Sequence, residues 1–117
     1  MNYRLAVVSL WAEDVPAAVH FYRDVIGLPL LPHHGDRPHF DLGGSFLVIL
    51  RGKPVPPQEP LAERFPVLAV SVPDLDAAAQ ALRTHQVELT WESDEHTGAR
   101  WVIFTDPAGN LIELVQF

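Results

Sequence analysis

The stretch Phe104-Thr105-Asp106-Pro107-Ala108-Gly109-Asn110-Leu111-Ile112-Glu113-Leu114 places a lone carboxylate, Glu113, in what otherwise reads as the core of a β-strand. Asp106-Pro107-Ala108-Gly109 has turn chemistry: proline fixes φ after the aspartate and glycine can take φ > 0, so the apolar runs on either side form a hairpin. With Gly109 as the left-handed residue of a short loop, Thr105 falls opposite Leu111, Ile103 opposite Glu113 and Trp101 opposite Val115. All six then share one face, with Glu113 at its centre.

Outward from this hairpin, the chain reads as two similar halves. Tyr3–Trp11 is apolar and β-branched and predicts a strand covered on both faces. Asp14 offers an N-cap, Pro16 suits a first turn, and Ala18, Phe21, Tyr22 and Val25 recur at helical spacing up to Gly27. Residues 28–31 predict a short strand; His20, Arg23 and Asp24 predict a solvated helix face. His39–Leu42 and Phe46–Arg51 flank Gly43-Gly44, a two-residue hairpin signal that sets Asp41 opposite Phe46 and His39 opposite Val48. The prolines of 52–64 exclude a central strand and mark a linker. Strand Phe65–Val72, cap Asp74, a helix through Leu75, Ala78, Ala79 and Leu82 to about His85, strand Val87–Trp91, a polar turn at Ser93–Gly98 and the closing hairpin repeat the order. Asp14 and Asp74 lie 60 positions apart, which reads as duplication of a βαβββ module, with modules 1–51 and 65–117 in one domain of 1–117. The fold class expected is α+β.

At 117 residues, 48% hydrophobic and 20% charged, the chain has the composition of one globular domain. No run approaches the length of a membrane span and the N-terminus lacks the pattern of a signal peptide, so a cytoplasmic home and no membrane partner are expected. The absence of cysteine excludes thiol chemistry. A net charge of −7 with no Lys/Arg cluster argues against nucleic acid as a partner. The pair His33-His34 lies in a polar loop and reads as surface rather than as metal ligands, because a site needs further ligands converging on it. No strained nucleophile elbow, Gly-rich phosphate loop, HExxH or EF-hand pattern occurs.

AEDVPAAVHFYRDVIGL (residues 12–28) and FTDPAGNLIEL (104–114) resemble signature stretches of the vicinal oxygen chelate superfamily, which includes glyoxalases, extradiol dioxygenases, and fosfomycin and bleomycin resistance proteins. The resemblance spans essentially the whole chain. It implies two βαβββ modules whose sheets curl into a cleft, commonly in a homodimer, with metalloenzyme members placing ligands on the first and last strand of each module. Carried over, those four positions fall on Val7, Val48, Val67 and Glu113. Valine has no lone pair, and one carboxylate falls short of the three protein ligands that a catalytic metal usually takes. A metal-free binding protein with no cofactor is therefore favoured over a displaced metal site built from Glu113 and His39.

Strand alternation anchored on Glu113 gives the predicted ligand-binding face: Leu5, Val7, Ser9 and Trp11; His39, Asp41, Phe46 and Val48; Val67, Ala69 and Ser71; Trp101, Ile103, Glu113 and Val115. Apolar surface with a few polar groups suits a small molecule, and the aromatics offer flat faces to a planar or cationic one. Arg37 and His39 are possible internal partners for Glu113. Glu113 and His39 are the catalytic candidates if the protein turns a substrate over, by metal-dependent lyase, isomerase or dioxygenase chemistry or as a metal-free general base.

Overall fold

The computed structural model describes residues 1–32, 37–54, 67–92 and 100–117. The chain divides into two compact units, Met1–Pro54 and Val55–Phe117.

In the first unit, β1 (Val7–Ala12) leads through the N-cap Asp14 into α1 (Val15–His20). Asp14 Oδ1 accepts the Ala17 N–H at 3.0 Å, which satisfies one of the otherwise unpaired amides of the first turn. The helix then widens into a π-type turn over Phe21–Ile26, closed by Gly27 at φ 89°. Gly27 and Leu28 both donate to the carbonyl of Tyr22, at 3.1 and 2.8 Å. The consecutive aromatics Phe21 and Tyr22 are both buried; their rings meet edge to face at 5.3 Å, and Tyr22 lies 5.9 Å from Phe40.

β2 (His39–Asp41) and β3 (Phe46–Arg51) form the expected hairpin, with Gly43 and Gly44 at φ 73° and 117°. Both glycines take the left-handed conformation that a two-residue turn of this kind demands. β1 runs parallel to β3, giving the order β1-β3-β2. Residues 28–31 do not form a strand: only an isolated bridge joins Leu30 to Phe40. Pro29 within that stretch and Pro32 directly after it cannot donate to a ladder.

The second unit repeats the plan. β4 (Leu68–Ser71) precedes Asp74, whose Oδ1 accepts the Ala77 N–H at 3.0 Å to start α2 (Leu75–Thr84). A second cap comes from the far end of the unit, where the Leu75 N–H donates to Gln116 Oε1 at 2.7 Å. β5 (Trp91–Glu92), β6 (Arg100–Thr105) and β7 (Leu111–Gln116) complete a sheet of order β4-β7-β6-β5, in which β4 and β7 are parallel and the other pairs antiparallel. The expected strand over 87–91 shrinks to Trp91–Glu92, and that over 65–72 to Leu68–Ser71; residues 65 and 66, the turn 93–98, most of the linker 52–64 and the pair His33-His34 lie outside the described residues.

Each sheet packs one face against its own helix. In the first unit Ala18, Phe21, Tyr22 and Val25 bury with Phe40, Leu47 and Ile49; in the second Leu75, Ala79 and Leu82 bury with Val102, Phe104, Ile112 and Leu114. Burying side chains of this size contributes roughly 1.5–3 kcal/mol each. The other face of each sheet carries the predicted binding residues. The expectation that the first strand is covered on both faces fails there: Leu5 is 63% and Val7 45% exposed, and β1 alternates between its two sides. A continuous apolar run thus belongs here to an edge strand with one open face.

Candidate functional site

The hairpin that carries Glu113 is held by its turn. Asp106, 5% exposed, accepts the backbone N–H groups of Ala108 (3.0 Å) and Asn110 (2.8 Å) on Oδ1 and the Asn110 side-chain amide (3.0 Å) on Oδ2. Gly109 takes φ 92° and donates to the Asp106 carbonyl at 3.0 Å. With the loop fixed, the register is the one anticipated: Thr105 opposite Leu111, Ile103 opposite Glu113, Trp101 opposite Val115. The sequence reads the Asp106 stretch as turn chemistry without signalling that the carboxylate itself is buried and bonded to the turn's own amides.

Glu113 sits between Ala69 of β4 and Ile103 of β6 in one row of the sheet. It is part-buried, and burial among these neighbours holds its carboxyl above the ordinary glutamate range. Among the described residues its side chain makes no hydrogen bond or ion pair. Arg100, on the neighbouring strand β6 opposite Gln116 and so on the other face, pairs with Asp76 of α2 at 2.7 Å. The same open face carries Trp101 and Ile103, both partly exposed, with Ala69 and Ser71 exposed on β4, Val67 (38% exposed) just ahead of it and Val115 buried.

In the first unit, the register pairs Val7 with Phe46 and Asp41, Ser9 with Val48 and His39, and Trp11 with Leu50, so these residues share the open face. Three of them differ from simple lining. Val48 is buried and presents little surface. Asp41 turns its Oδ1 onto the Gly43 N–H at 2.8 Å, bracing the hairpin. His39 donates Nδ1–H to the Arg37 carbonyl at 2.6 Å and packs its ring against Phe46 at 6.1 Å.

The residues at the four carried-over positions do not fit a catalytic metal. Val7, Val48 and Val67 stand at three of the four positions where a ligand is expected, and among the described residues no three His, Asp or Glu side chains come together to hold an ion. Among the described residues, too, no helix is long and apolar enough to cross a membrane.

Two βαβββ-type units with curled mixed sheets, each closing a parallel pair around an antiparallel hairpin, define the glyoxalase-type fold. The chain belongs to the glyoxalase/bleomycin resistance protein/dioxygenase superfamily, whose family model matches residues 4–114. It is 30% identical to the uncharacterized protein YaeR of Escherichia coli strain K12, over 93% of this chain and 92% of that one. Among solved structures, it is similar to the fosfomycin resistance protein FosX of Listeria monocytogenes, with TM-score 0.81 and 18% identity over 100% of this chain and 95% of that one. The lactoylglutathione lyase of Agrobacterium tumefaciens gives TM-score 0.74 and 23% identity over 98% and 94%. At those identities the likeness to the two solved structures concerns the fold.

Proposed function

We propose that the chain is a metal-free small-molecule binding protein of the bleomycin-resistance kind, taking a partly aromatic or cationic ligand in an apolar cleft walled by the Glu113 face. The observation that carries this reading is Glu113 itself: a part-buried carboxylate with no protein partner among the described residues, while valine stands at the three other positions where the resemblance expects a ligand. An unpaired carboxylate in apolar surroundings is stabilised by a cation or a hydrogen-bond donor brought by a ligand. A net charge of −7 favours the approach of a cation. The protein acts in the cytoplasm as a homodimer, for which the exposed Tyr3 and Leu5 ahead of β1 supply apolar contact surface.

One observation favours a second reading. A histidine whose Nδ1–H is fixed by a carbonyl, as in His39, is oriented in the way metal-bound histidines are. In that reading, a displaced site uses His39 and Glu113 for lyase, isomerase or dioxygenase chemistry. Protein purified without chelators separates the two by elemental analysis. The binding-protein reading expects no stoichiometric metal and calorimetric binding of cationic aromatics that weakens in Glu113→Gln. Stoichiometric Zn, Ni, Mn or Fe that disappears in Glu113→Ala would overturn it.

A further inference from the structure

On the open face of the second unit, the Glu113 carboxylate and the Ser71 hydroxyl make no hydrogen bond among the described residues. They belong to adjacent parallel strands. Ala69 pairs in register with Glu113 and Ser71 with Val115, so Ser71 is the diagonal neighbour of Glu113 on the same face. Strands lie about 4.8 Å apart and rise about 3.3 Å per residue, which sets the two backbone positions about 8 Å apart. The glutamate arm covers about half of that gap, and one nitrogen with two N–H donors, each reaching about 2.9 Å, bridges the rest. At the corner between the two groups stands Ala69, exposed and with a single methyl group as its side chain. Thr105 of β6 lies on the other diagonal from Glu113, but there the corner residue is the much larger Ile103. The room beside the carboxylate is therefore on the Ser71 side.

We infer that Ser71 is a specificity-determining residue which, together with Glu113, receives the protonated primary amine of the ligand over the methyl group of Ala69. The inference rests on the small-molecule reading above and narrows its cation to one that carries N–H donors. Charge alone does not satisfy a part-buried carboxylate. Its lone pairs have lost water, and N–H groups of the ligand replace what was lost, whereas a shell of methyl groups leaves those lone pairs unpaired. A hydrogen bond between an ammonium and a carboxylate is also about twice as strong as one between neutral groups. A primary ammonium has three donors. One goes to the carboxylate, one to the serine hydroxyl, and the third remains for water. The small size of Ala69 matters for the same reason, because a longer side chain there fills the place of the nitrogen.

The test titrates 13C-labelled protein at pH 7.5 with phenethylammonium and with its N,N,N-trimethyl counterpart, which share ring and charge and differ in their N–H donors. The side-chain carboxyl signal of Glu113, assigned by its loss in Glu113→Gln, reports binding. The expected result is a saturable shift with the primary amine binding about tenfold more tightly than the quaternary ion, since a hydrogen bond to a charged group is worth about that factor. Ser71→Ala should weaken the primary amine about tenfold and leave the quaternary ion unchanged, and Ser71→Thr, which keeps the hydroxyl, should hold the wild-type preference. Because Ser71 is exposed, these variants are expected to keep the fold, which a thermal melt checks. Equal affinity for the two probes, lost for both in Glu113→Gln, overturns the inference while a cation at Glu113 stands. A preference that survives Ser71→Ala, or that is lost in Thr105→Val instead, overturns the assignment of Ser71. If neither probe moves the Glu113 signal at millimolar concentration, the inference and the reading on which it rests fall together.

Discussion

Glu113→Gln should make the protein more stable at neutral pH. The perturbation keeps the length and shape of the side chain and removes its charge. In the folded chain the carboxylate lies between Ala69 and Ile103 without a partner among the described residues, and burial raises its pKa above the unfolded value. The sign follows from linkage. A group that binds its proton more tightly when folded favours the fold below its unfolded pKa, and that advantage is lost as pH rises through the raised folded value. At pH 7.5 the ionised side chain therefore opposes folding. Gln leaves a polar group just as unsatisfied but without a charge to desolvate, and part-burial keeps that difference to about 1 kcal/mol. For a domain of this size that corresponds to a rise of about 4 °C in Tm. The assay is a set of thermal melts of wild type and Glu113→Gln from pH 4 to pH 8, with Glu13→Gln at an exposed site as control for the one-unit change in net charge. The gap should be widest at high pH and close as the wild-type carboxyl protonates. A variant less stable than wild type at pH 7.5, or a gap independent of pH, would mean that the carboxylate is paired and would refute the reasoning. A ligand cation bound at Glu113 should reverse the order, raising wild-type Tm above that of the variant.

Other substitutions test the scaffold. Asp106→Ala removes the hydrogen bonds that a buried carboxylate accepts from Ala108 and Asn110 and should cost about 3 kcal/mol, measured by urea denaturation; a loss under 1 kcal/mol would show that the turn closes without it. Gly109→Ala puts a side chain on a residue at φ 92° and should cost about 1 kcal/mol, seen as a Tm lowered by about 4 °C. Asp74→Ala and Gln116→Ala each remove one acceptor from the first turn of α2 and should lose about 1 kcal/mol apiece, and their effects should not add, because both act on the same helix end.

The sequence shows most of the fold because its signals are local. Asp14 and Asp74 mark helix starts, Gly43-Gly44 and Asp106–Gly109 mark turns, and period-two patterning around Glu113 sets the register of the last hairpin. The misses are of one kind, in which a distant partner or a local breaker overrides the pattern. Residues 28–31 are apolar enough for a strand, yet the prolines at 29 and 32 leave only the Leu30 bridge. The site face was legible as a face, since alternation fixes which residues point together. What each polar residue does on that face was not. Asp41 braces its own hairpin, His39 bonds a backbone carbonyl two residues away, and Asp106 is a buried turn organiser, roles set by short-range geometry that alternation does not encode.

The two parallel pairs impose an order on folding. The hairpins β2–β3 and β6–β7 close over a few residues, but β1 meets β3 across 39 positions at Val7 and Phe46, and β4 meets β7 across 44 at Leu68 and Ile112. Closing a loop ten times longer costs about 2 kcal/mol more in chain entropy, so each hairpin forms first and its parallel edge strand docks last. What docks last with few neighbours also opens first. The amides of β1 and β4 should then exchange with solvent ahead of those of the central strands. Those two edges carry Trp11 and the Ala69 flank of Glu113, so backbone that opens early in each unit borders the residues proposed to bind a ligand, and a ligand bound there should be felt first as slowed exchange.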